Sequence, residues 1–221
     1  MDVSEAVAGR RSVRAFLDRE VPLDTLRDLA VRAGRAATGG NLQPWHVDIV
    51  AGEAMVRLKA VMADTLASGR LEAAQYPIYP AKLEGAYRDR RFAVGEAMYA
   101  HLGIPRDDKA ARMRWFANNF RFFGAPAAWF VTVDRGMGPP QWADLGMYLQ
   151  TLMLLATEAG LGTCAQEAWA VYPDTVTAFL GTPPGRMLFC GVAVGHEDRQ
   201  APVNRLRSAR ADEGEWLTVV S

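Results

Sequence analysis

The segment 142–159, WADLGMYLQTLMLLATEA, constrains the fold more than any other part of the chain. It predicts a long helix that is apolar on nearly every side, and such a helix is buried when a protein folds. Its most apolar stretch, residues 145–156, contains Gln150 and Thr151 and is shorter than the roughly 18 apolar residues of a membrane span. The other elements are therefore expected to pack around a central helix.

Three segments have the pattern of β-strands. Residues 45–51, WHVDIVA, alternate like a strand that is buried on one face, whereas residues 127–133 and 187–195 are continuously apolar and predict strands buried on both faces. Residues 216–220, WLTVV, predict a short strand or an arm. Long helical stretches separate the strands, which predicts an α+β domain with a mixed sheet.

Three further helices are predicted. One follows Pro22, which suits a first helical turn, and stops at Gly34. A second has amphipathic spacing over residues 55–66, and a third is indicated about residues 84–101. Apart from that third helix, the segment 69–110 has no readable pattern.

The charge balance limits the partners of the protein. There are 25 Lys and Arg residues against 25 Asp and Glu residues, and the isoelectric point is near 6.8. This balance argues against a general nucleic-acid or anionic membrane surface. The length suits one domain over residues 1–221. The first residues lack the apolar core of a signal peptide, so we expect a cytoplasmic protein with no nucleic-acid or membrane partner.

The two cysteines, Cys164 and Cys190, lie in apolar runs. A disulfide between them is conceivable, but two buried thiols in a reducing compartment are the commoner arrangement. Cys164 has no obvious base partner, which makes a thiol nucleophile a weak hypothesis.

Several catalytic motifs can be excluded. Residues 160–165, GLGTCA, match the dinucleotide-binding string G-x-G-x-x-G/A, but they follow a predicted helix where the motif requires a strand. Gly160 therefore suits the end of the long helix. The chain has no P-loop, no G-x-S-x-G elbow, and no metal-ligand spacing among His46, His101 and His196. An enzyme of this kind would take its reactivity from a bound cofactor.

Arginines are concentrated near both ends of the chain. Residues 9–16, GRRSVRAF, and residues 204–210, NRLRSAR, together contain Arg10, Arg11, Arg14, Arg205, Arg207 and Arg210. Guanidinium groups match the geometry of phosphate oxygens, and Ser12 and Ser208 add hydroxyl donors. The segments either converge on one phosphate or form two exposed basic surfaces, and charge alone favours the second interpretation.

Five segments in this order resemble the nitroreductase family of FMN-dependent NAD(P)H oxidoreductases. They are RRSVRAF (10–16), GGNLQPWHV (39–47), NNFRFFGAPAA (118–128), DLGMYLQTLMLLATEAGLGTC (144–164) and NRLRSAR (204–210). Each is weak alone, but the ordered set spans almost the whole chain. CAQEAW (164–169) is similar to the branch that reduces nitrobenzoate and other nitroaromatics. The resemblance implies an α+β homodimer with FMN sites at the subunit interface.

The resemblance also assigns residues to the phosphate end of FMN. The positions that match the family's phosphate site are Arg10, Ser12, Arg207 and Arg210, with the backbone of Arg11 in the same loop. Arg14 matches the basic residue at the ribityl chain and the pyrimidine edge of the flavin. A cation at that edge stabilises the reduced flavin and raises its potential. The side chain of Arg11 has no role in this assignment.

Other positions match the family's contacts with the flavin ring. Thr38, Gly39 and Gly40 match a segment that reaches the flavin from the other subunit. Asn118 or Asn119 matches an amide near the ribityl chain and the ring, and spacing leaves the choice open. Glu167 and Ala168 match a pair whose backbone N–H groups face the N5/O4 edge. Some family members have Pro at position 165 and Gly at position 168. This chain has alanine at both, and alanine needs an ordinary backbone conformation, so none of the positive φ values that glycine permits is expected there.

The implied function is an FMN-dependent NAD(P)H oxidoreductase that reduces nitroaromatics or quinones by ping-pong hydride transfer through flavin N5. The flavin carries the chemistry, so no catalytic side chain and no metal are expected. Residues 69–110 match no family motif and are expected to be a variable helical cover over the flavin. The alternatives are an ene-reductase, a dehalogenase or a biosynthetic flavin oxidase on the same scaffold, or a flavin- or anion-binding module without turnover. No residue that would choose between NADH and NADPH can be located.

Overall fold

The computed structural model describes all 221 residues and contains one four-stranded sheet. The strands are β1 (His46–Ala51), β2 (Ala127–Asp134), β3 (Gly162–Gln166) and β4 (Arg186–Gly195), arranged in the order β1-β2-β4-β3. All three strand pairs are antiparallel, and the parallel contribution is one isolated bridge between Ser12 and Thr163. The α+β class is confirmed, but the prediction of a mixed sheet is wrong for the four strands, which pair only antiparallel. The short strand β3 has no clear sequence signal.

Seven helices surround the sheet. They are α1 (Val3–Gly9), α2 (Leu23–Ala33), α3 (Gly52–Ala67), α4 (Gly85–His101), α5 (Lys109–Phe116), α6 (Pro139–Glu158) and α7 (Pro173–Leu180). The four predicted helices are present as α2, α3, α4 and α6. The other three helices have eight residues or fewer, too few for a periodic pattern to stand out. None of the seven is both long enough and apolar enough to cross a membrane.

The central helix α6 covers one face of the sheet. Leu145, Leu152 and Ala156 are fully buried against α2 and the sheet. Two side chains hold α2 in place by donating to its carbonyls: Trp129 Nε1 to Leu26 at 3.3 Å and the Tyr148 hydroxyl to Ala30 at 3.0 Å. The helix thus has the buried position that its apolar sequence predicts.

The opposite face carries a second core that is rich in aromatic side chains. Phe122 stacks on Trp169 with ring centroids 4.5 Å apart, and Phe130 meets Trp169 edge to face at 5.1 Å. Gly191 on β4 is needed here, because a Cβ at that position would lie 2.6 Å from Trp169 Cδ1. The aromatic residues of 115–126 are therefore largely core, which fixes the chain before β2.

The end of α6 excludes the dinucleotide-binding motif. Gly160 adopts φ +73° directly after the helix, and the Leu161 amide donates to the Ala156 carbonyl at 2.8 Å. The residues that follow form β3 instead of a helix. Gly160 is thus the helix stop that its sequence context predicts.

The C-terminal residues 216–221 form no strand, so the arm is the correct alternative. Trp216, Val219 and Val220 are 69%, 82% and 92% exposed. Both cysteines are free and buried, which confirms the interpretation as buried thiols. The arm leaves an apolar segment without a partner inside the chain.

Candidate functional site

The first arginine cluster runs beside β3. The Val13 amide donates to the Thr163 carbonyl at 2.8 Å, and Ser12 forms the parallel bridge with Thr163. Because alternate side chains of an extended segment point to opposite sides, Arg10, Ser12 and Arg14 share one side. Gly162 permits the close approach, since a Cβ there would lie 2.8 Å from Val13 Cγ2.

Arg11 faces the other side and has its own partner. Its guanidinium forms an ion pair with Glu197 at 2.5 Å, and the Glu197 side chain is only 12% exposed. This pair ties the N-terminal segment to the chain just after β4. The structure therefore gives the Arg11 side chain a structural role, and only its backbone stays a candidate for the predicted phosphate site.

Asn204 brings the two arginine clusters together. It is 4% exposed, and its Oδ1 accepts from the Arg14 amide at 2.7 Å. Its Nδ2 donates to the carbonyls of Ala15 and Asp198, both at 2.8 Å. Its own carbonyl accepts from the Arg207 guanidinium at 3.0 Å. The sequence placed this residue inside the second cluster but gave no sign that it is the junction.

We call Arg10, Ser12, Arg14, Arg207 and Arg210, which lie on the two segments that Asn204 joins, the arginine junction. None of these four arginines has a carboxylate partner. Arg207 donates only to backbone carbonyls, and Arg210 donates to Ser208 and Ala209. Burial raises the pKa of the Cys164 thiol on β3, while Arg14, Ser12 and Arg10 of the first cluster act to lower it. Arginines and a serine hydroxyl without competing acids are the donor set that a phosphate monoester requires.

The other end of β3 carries the ring-side candidates. Gln166 is 3% exposed, and its Nε2 donates to the Asn119 carbonyl at 2.8 Å and to Asn119 Oδ1 at 3.2 Å. Gln166 Oε1 is buried without a hydrogen-bond partner. Glu167 and Ala168 follow directly, and burial raises the pKa of the Glu167 carboxyl. From Thr163 to Glu167 the strand covers roughly 13 Å, so the arginine junction and the ring-side residues lie at its two ends.

The two candidate asparagines separate in the structure. Asn119 is bonded to Gln166 as described, and its Nδ2 also donates to the Phe116 carbonyl at 2.8 Å. Asn118 lines a surface hollow with Arg114 and Arg121. The geometry therefore favours Asn119 as the amide that belongs to the β3 site.

Thr38, Gly39 and Gly40 lie at the opposite end of α6 from the arginines. The Thr38 hydroxyl donates to Asp144 at 2.9 Å, and the Gly39 amide donates to the same buried carboxylate at 3.2 Å. Gly9, at the start of the arginine segment, approaches Thr157 near the other end of the helix. Asp144 and Thr157 are separated along α6 by roughly 20 Å, at 1.5 Å of rise per residue.

Left-handed backbone occurs beside two candidate segments, the loop Thr38–Gly40 and the pair Asn118 and Asn119. Asn41 and Gln43 follow the Thr38–Gly40 loop with φ of 58° and 50°. Phe122 and Phe123 follow the asparagines with φ of 52° and 53°. Such conformations are costly for residues with a Cβ and collect at functional sites. Phe122 and Phe123 are buried, so the core holds their segment in this shape, whereas Asn41 and Gln43 are exposed.

A segment that the sequence left unread is attached beside the ring-side candidates. Glu72 accepts from the Asp174 amide at 2.7 Å and from the Thr175 amide at 3.1 Å, at the start of α7. Tyr76 bonds to the Phe189 carbonyl through its hydroxyl and stacks on the Phe189 ring at 5.8 Å. The Glu167 carboxylate lies close enough to contribute, after burial and Cys190, to the raised pKa of Tyr76.

A four-stranded antiparallel sheet flanked by helices, with arginine-rich segments from both ends of the chain joined beside its edge strand β3, defines an α+β protein with a candidate anion-binding site. The chain belongs to the nitroreductase family, which matches residues 7–196.

Curated relatives and solved structures agree with this membership. The chain is 37% identical over 205 residues to nitroreductase NfnB of Mycolicibacterium smegmatis, covering 93% of this chain and 87% of the relative. It is 34% identical to a 4-nitrobenzoate reductase of Pseudomonas putida, covering 95% and 91%. The crystal structure of an FMN- and NADPH-dependent nitroreductase NfnB from Sphigopyxis sp. strain HMH is 48% identical, with a TM-score of 0.96 and complete coverage of both chains.

Proposed function

We propose that this protein is an FMN-dependent NAD(P)H oxidoreductase that reduces nitroaromatic or quinone-type acceptors. The observation that carries the proposal is the arginine junction at Asn204, which joins two segments from opposite ends of the chain. Similarity to nitroreductases and nitrobenzoate reductases over more than nine-tenths of the chain supports the reaction class. A nitroreductase NfnB from Mycobacterium smegmatis has been solved with NADPH, and the present chain superimposes on it with a TM-score of 0.93 at 35% identity.

The residues present fit FMN. Arg10, Ser12, Arg207 and Arg210 supply donors for the phosphate. Arg14 extends the cationic surface toward the ribityl chain and the pyrimidine edge. Arg207 and Arg210, which donate only to carbonyl and hydroxyl oxygens and have no carboxylate partner, lie at one end of the site, and the buried unpartnered Gln166 Oε1 lies at the other end of β3.

The ring-side contacts come from the turn after β3. The backbone N–H groups of Glu167 and Ala168 are assigned to the N5/O4 edge, with Asn119 beside them. Neither Ala165 nor Ala168 has a positive φ, so alanine at both positions fits the backbone without strain. The departure from the family pattern at these positions is therefore compatible with the site.

A homodimer completes the site. Thr38–Gly40 and the arginine junction lie near opposite ends of α6, which supports the assignment of Thr38–Gly40 to the partner's flavin. The exposed apolar arm at 216–220 supplies surface for an interface. We assign the protein to the cytoplasm, in line with its two free thiols, as one domain over residues 1–221.

Bound FMN would supply the redox chemistry, accepting two electrons from NAD(P)H and giving them to the acceptor. The protein contributes position and electrostatics. Arg14 would supply a fixed positive charge at the pyrimidine edge, where negative charge would develop in the reduced ring. The segment 69–110 is anchored to the rest of the chain at Glu72, which accepts from the Asp174 amide, and at Tyr76, which bonds to the Phe189 carbonyl. No catalytic side chain is required.

The purified protein tests the proposal directly. We expect a yellow protein with a flavin spectrum that bleaches anaerobically with NADH or NADPH and recovers with nitrobenzene, 4-nitrobenzoate or a benzoquinone. If only enones or halogenated phenols reoxidise the flavin, the acceptors are of those classes and not nitroaromatics or quinones. A protein that binds no FMN, or holds FMN that neither nucleotide reduces, contradicts the proposal.

A further inference from the structure

A hollow of about 550 Å³ lies where α5 meets the turn Ala117–Gly124. Its wall contains Arg114, Trp115, Asn118 and Arg121, and none of its lining residues is acidic. Pockets of this size are typical of small-ligand sites. The lining combines two cations, an aromatic ring and an amide. The flavin assignment uses neither the two arginines nor Trp115.

The two arginines are free of competing anions. Neither Arg114 nor Arg121 takes part in any ion pair of the structure, whereas their neighbour Arg112 pairs with Glu96 at 2.5 Å. Arg106, in the loop before α5, instead covers the Phe92 ring at 4.9 Å. Two unneutralised guanidinium groups match a phosphate monoester, which carries a charge of about −1.5 to −2 near pH 7.

The aromatic wall suits a nucleobase. Trp115 is half-buried and packs on Phe123 with ring centroids 5.9 Å apart, which holds the indole in place. A fixed indole offers a stacking surface, and base–aromatic stacking is a general means of holding nucleobases. The hollow therefore presents features for both parts of a phosphorylated nucleoside.

The hollow lies next to the ring-side end of the proposed flavin site. Asn118 lines it, and the adjacent Asn119 is bonded to Gln166, which directly precedes Glu167. We propose that the hollow binds the 2′-phosphoadenosine end of NADPH, with Arg114 and Arg121 on the 2′-phosphate and Trp115 against the adenine. This assignment rests on the proposed function and adds the choice of NADPH over NADH to it.

Calorimetry with nucleotide fragments tests the assignment without turnover. The FMN-loaded protein, Arg114→Ser, Arg121→Ser and the double variant are titrated with adenosine 2′,5′-bisphosphate and with 5′-AMP. We expect each single variant to weaken bisphosphate binding about tenfold, since each removes a charge-assisted contact, and to change 5′-AMP binding less than twofold. The control Arg106→Ser removes the same charge outside the hollow and is expected to leave both affinities unchanged.

Steady-state kinetics separate the donor from the acceptor. KM for NADPH is expected to rise about tenfold in each variant, with KM for NADH and kcat unchanged. Equal effects on both nucleotides, or no effect, overturn the assignment. It is also overturned if KM rises for 4-nitrobenzoate but not for nitrobenzene, because the arginines would then bind the acceptor's carboxylate. Failure of the proposed function gives a different result, since neither nucleotide would then reduce the flavin while fragment binding could still be measured.

Discussion

Six arginines of similar appearance in the sequence have different environments in the structure. Arg11 is neutralised by Glu197, whereas Arg207 and Arg210 donate only to carbonyl and hydroxyl oxygens. An arginine that already has a carboxylate partner gains little from an added anion, and one without such a partner keeps its charge available. The ion pair therefore separates Arg11 from the two arginines that are proposed to hold the phosphate.

We expect Arg207→Ala and Arg210→Ala each to weaken FMN binding about tenfold or more. Each removes a charge-assisted bond to the phosphate, worth roughly 1.5–3 kcal/mol. Quenching of flavin fluorescence during titration of the apoprotein measures the affinity. Arg205→Ala is the matched control, because Arg205 is exposed in the same segment and the resemblance gives it no role. Unchanged affinity in both variants would remove the C-terminal cluster from the site.

The residue types of the proposed phosphate site could be predicted, but the residue that joins its two segments could not. The ability of arginine and serine to bind a phosphate follows from the residue types alone. Asn204, in contrast, acts through four hydrogen bonds that exist only when residues 14, 15, 198 and 207 are brought together. Similarly, spacing could not separate Asn118 from Asn119. Their separation depends on where Gln166 lies, and Gln166 belongs to a strand that the pattern of apolar residues missed.

Helix α7 shows how one element can depend on a distant side chain for its start. Its first turn has no local side-chain cap, and the buried carboxylate of Glu72 takes that place from about a hundred residues away. Burial alone would raise the pKa of Glu72, but hydrogen bonds from Thr175 and Arg70, with the backbone amides of Thr175 and Asp174, outweigh it and lower the pKa. The same contact attaches the segment before α4 to the start of α7.

Replacing Glu72 with alanine is expected to lower the free energy of unfolding by about 1–3 kcal/mol, because the α7 amides lose a buried acceptor. Urea unfolding of the FMN-loaded protein measures this change. Glu53→Gln is the control, since the Glu53 side chain is 97% exposed. A loss no larger than that of the control would show that α7 does not need the cap.

The pH dependence of the same contact has a definite sign. Because folding lowers the pKa of Glu72, its contribution is fully present above the ordinary carboxyl pKa and is lost as the pH falls through the lower folded value. The stability difference between the wild type and Glu72→Gln should therefore be constant near neutral pH and shrink in the acid range. A difference that grows on acidification would contradict the direction of the pKa shift.

At the scale of the whole molecule, α6 sets the distance between the two halves of the candidate site. Its apolar sequence predicts a central helix, and its length then separates Asp144 from Thr157 by roughly 20 Å. The sequence gives the length of this element, but which segments lie at its ends depends on tertiary packing. In the proposed homodimer, each chain would therefore offer a phosphate end for one flavin and a loop for the other.

This arrangement predicts complementation between two defective chains. One chain carries Arg207→Ala with Arg210→Ala. The other carries Gly39→Trp, which its own chain can accommodate because a Cβ at Gly39 meets nothing within 4 Å, but which would place an indole against the partner's flavin.

If the site is shared, a heterodimer has one site with both defects and one with none. We therefore expect about half of the wild-type FMN content in heterodimers purified through two different tags, and little in either variant homodimer. If all contacts came from one chain, each site would carry one defect and the heterodimer would bind no more FMN than the homodimers. A monomer in sedimentation that retains FMN would contradict the shared site independently.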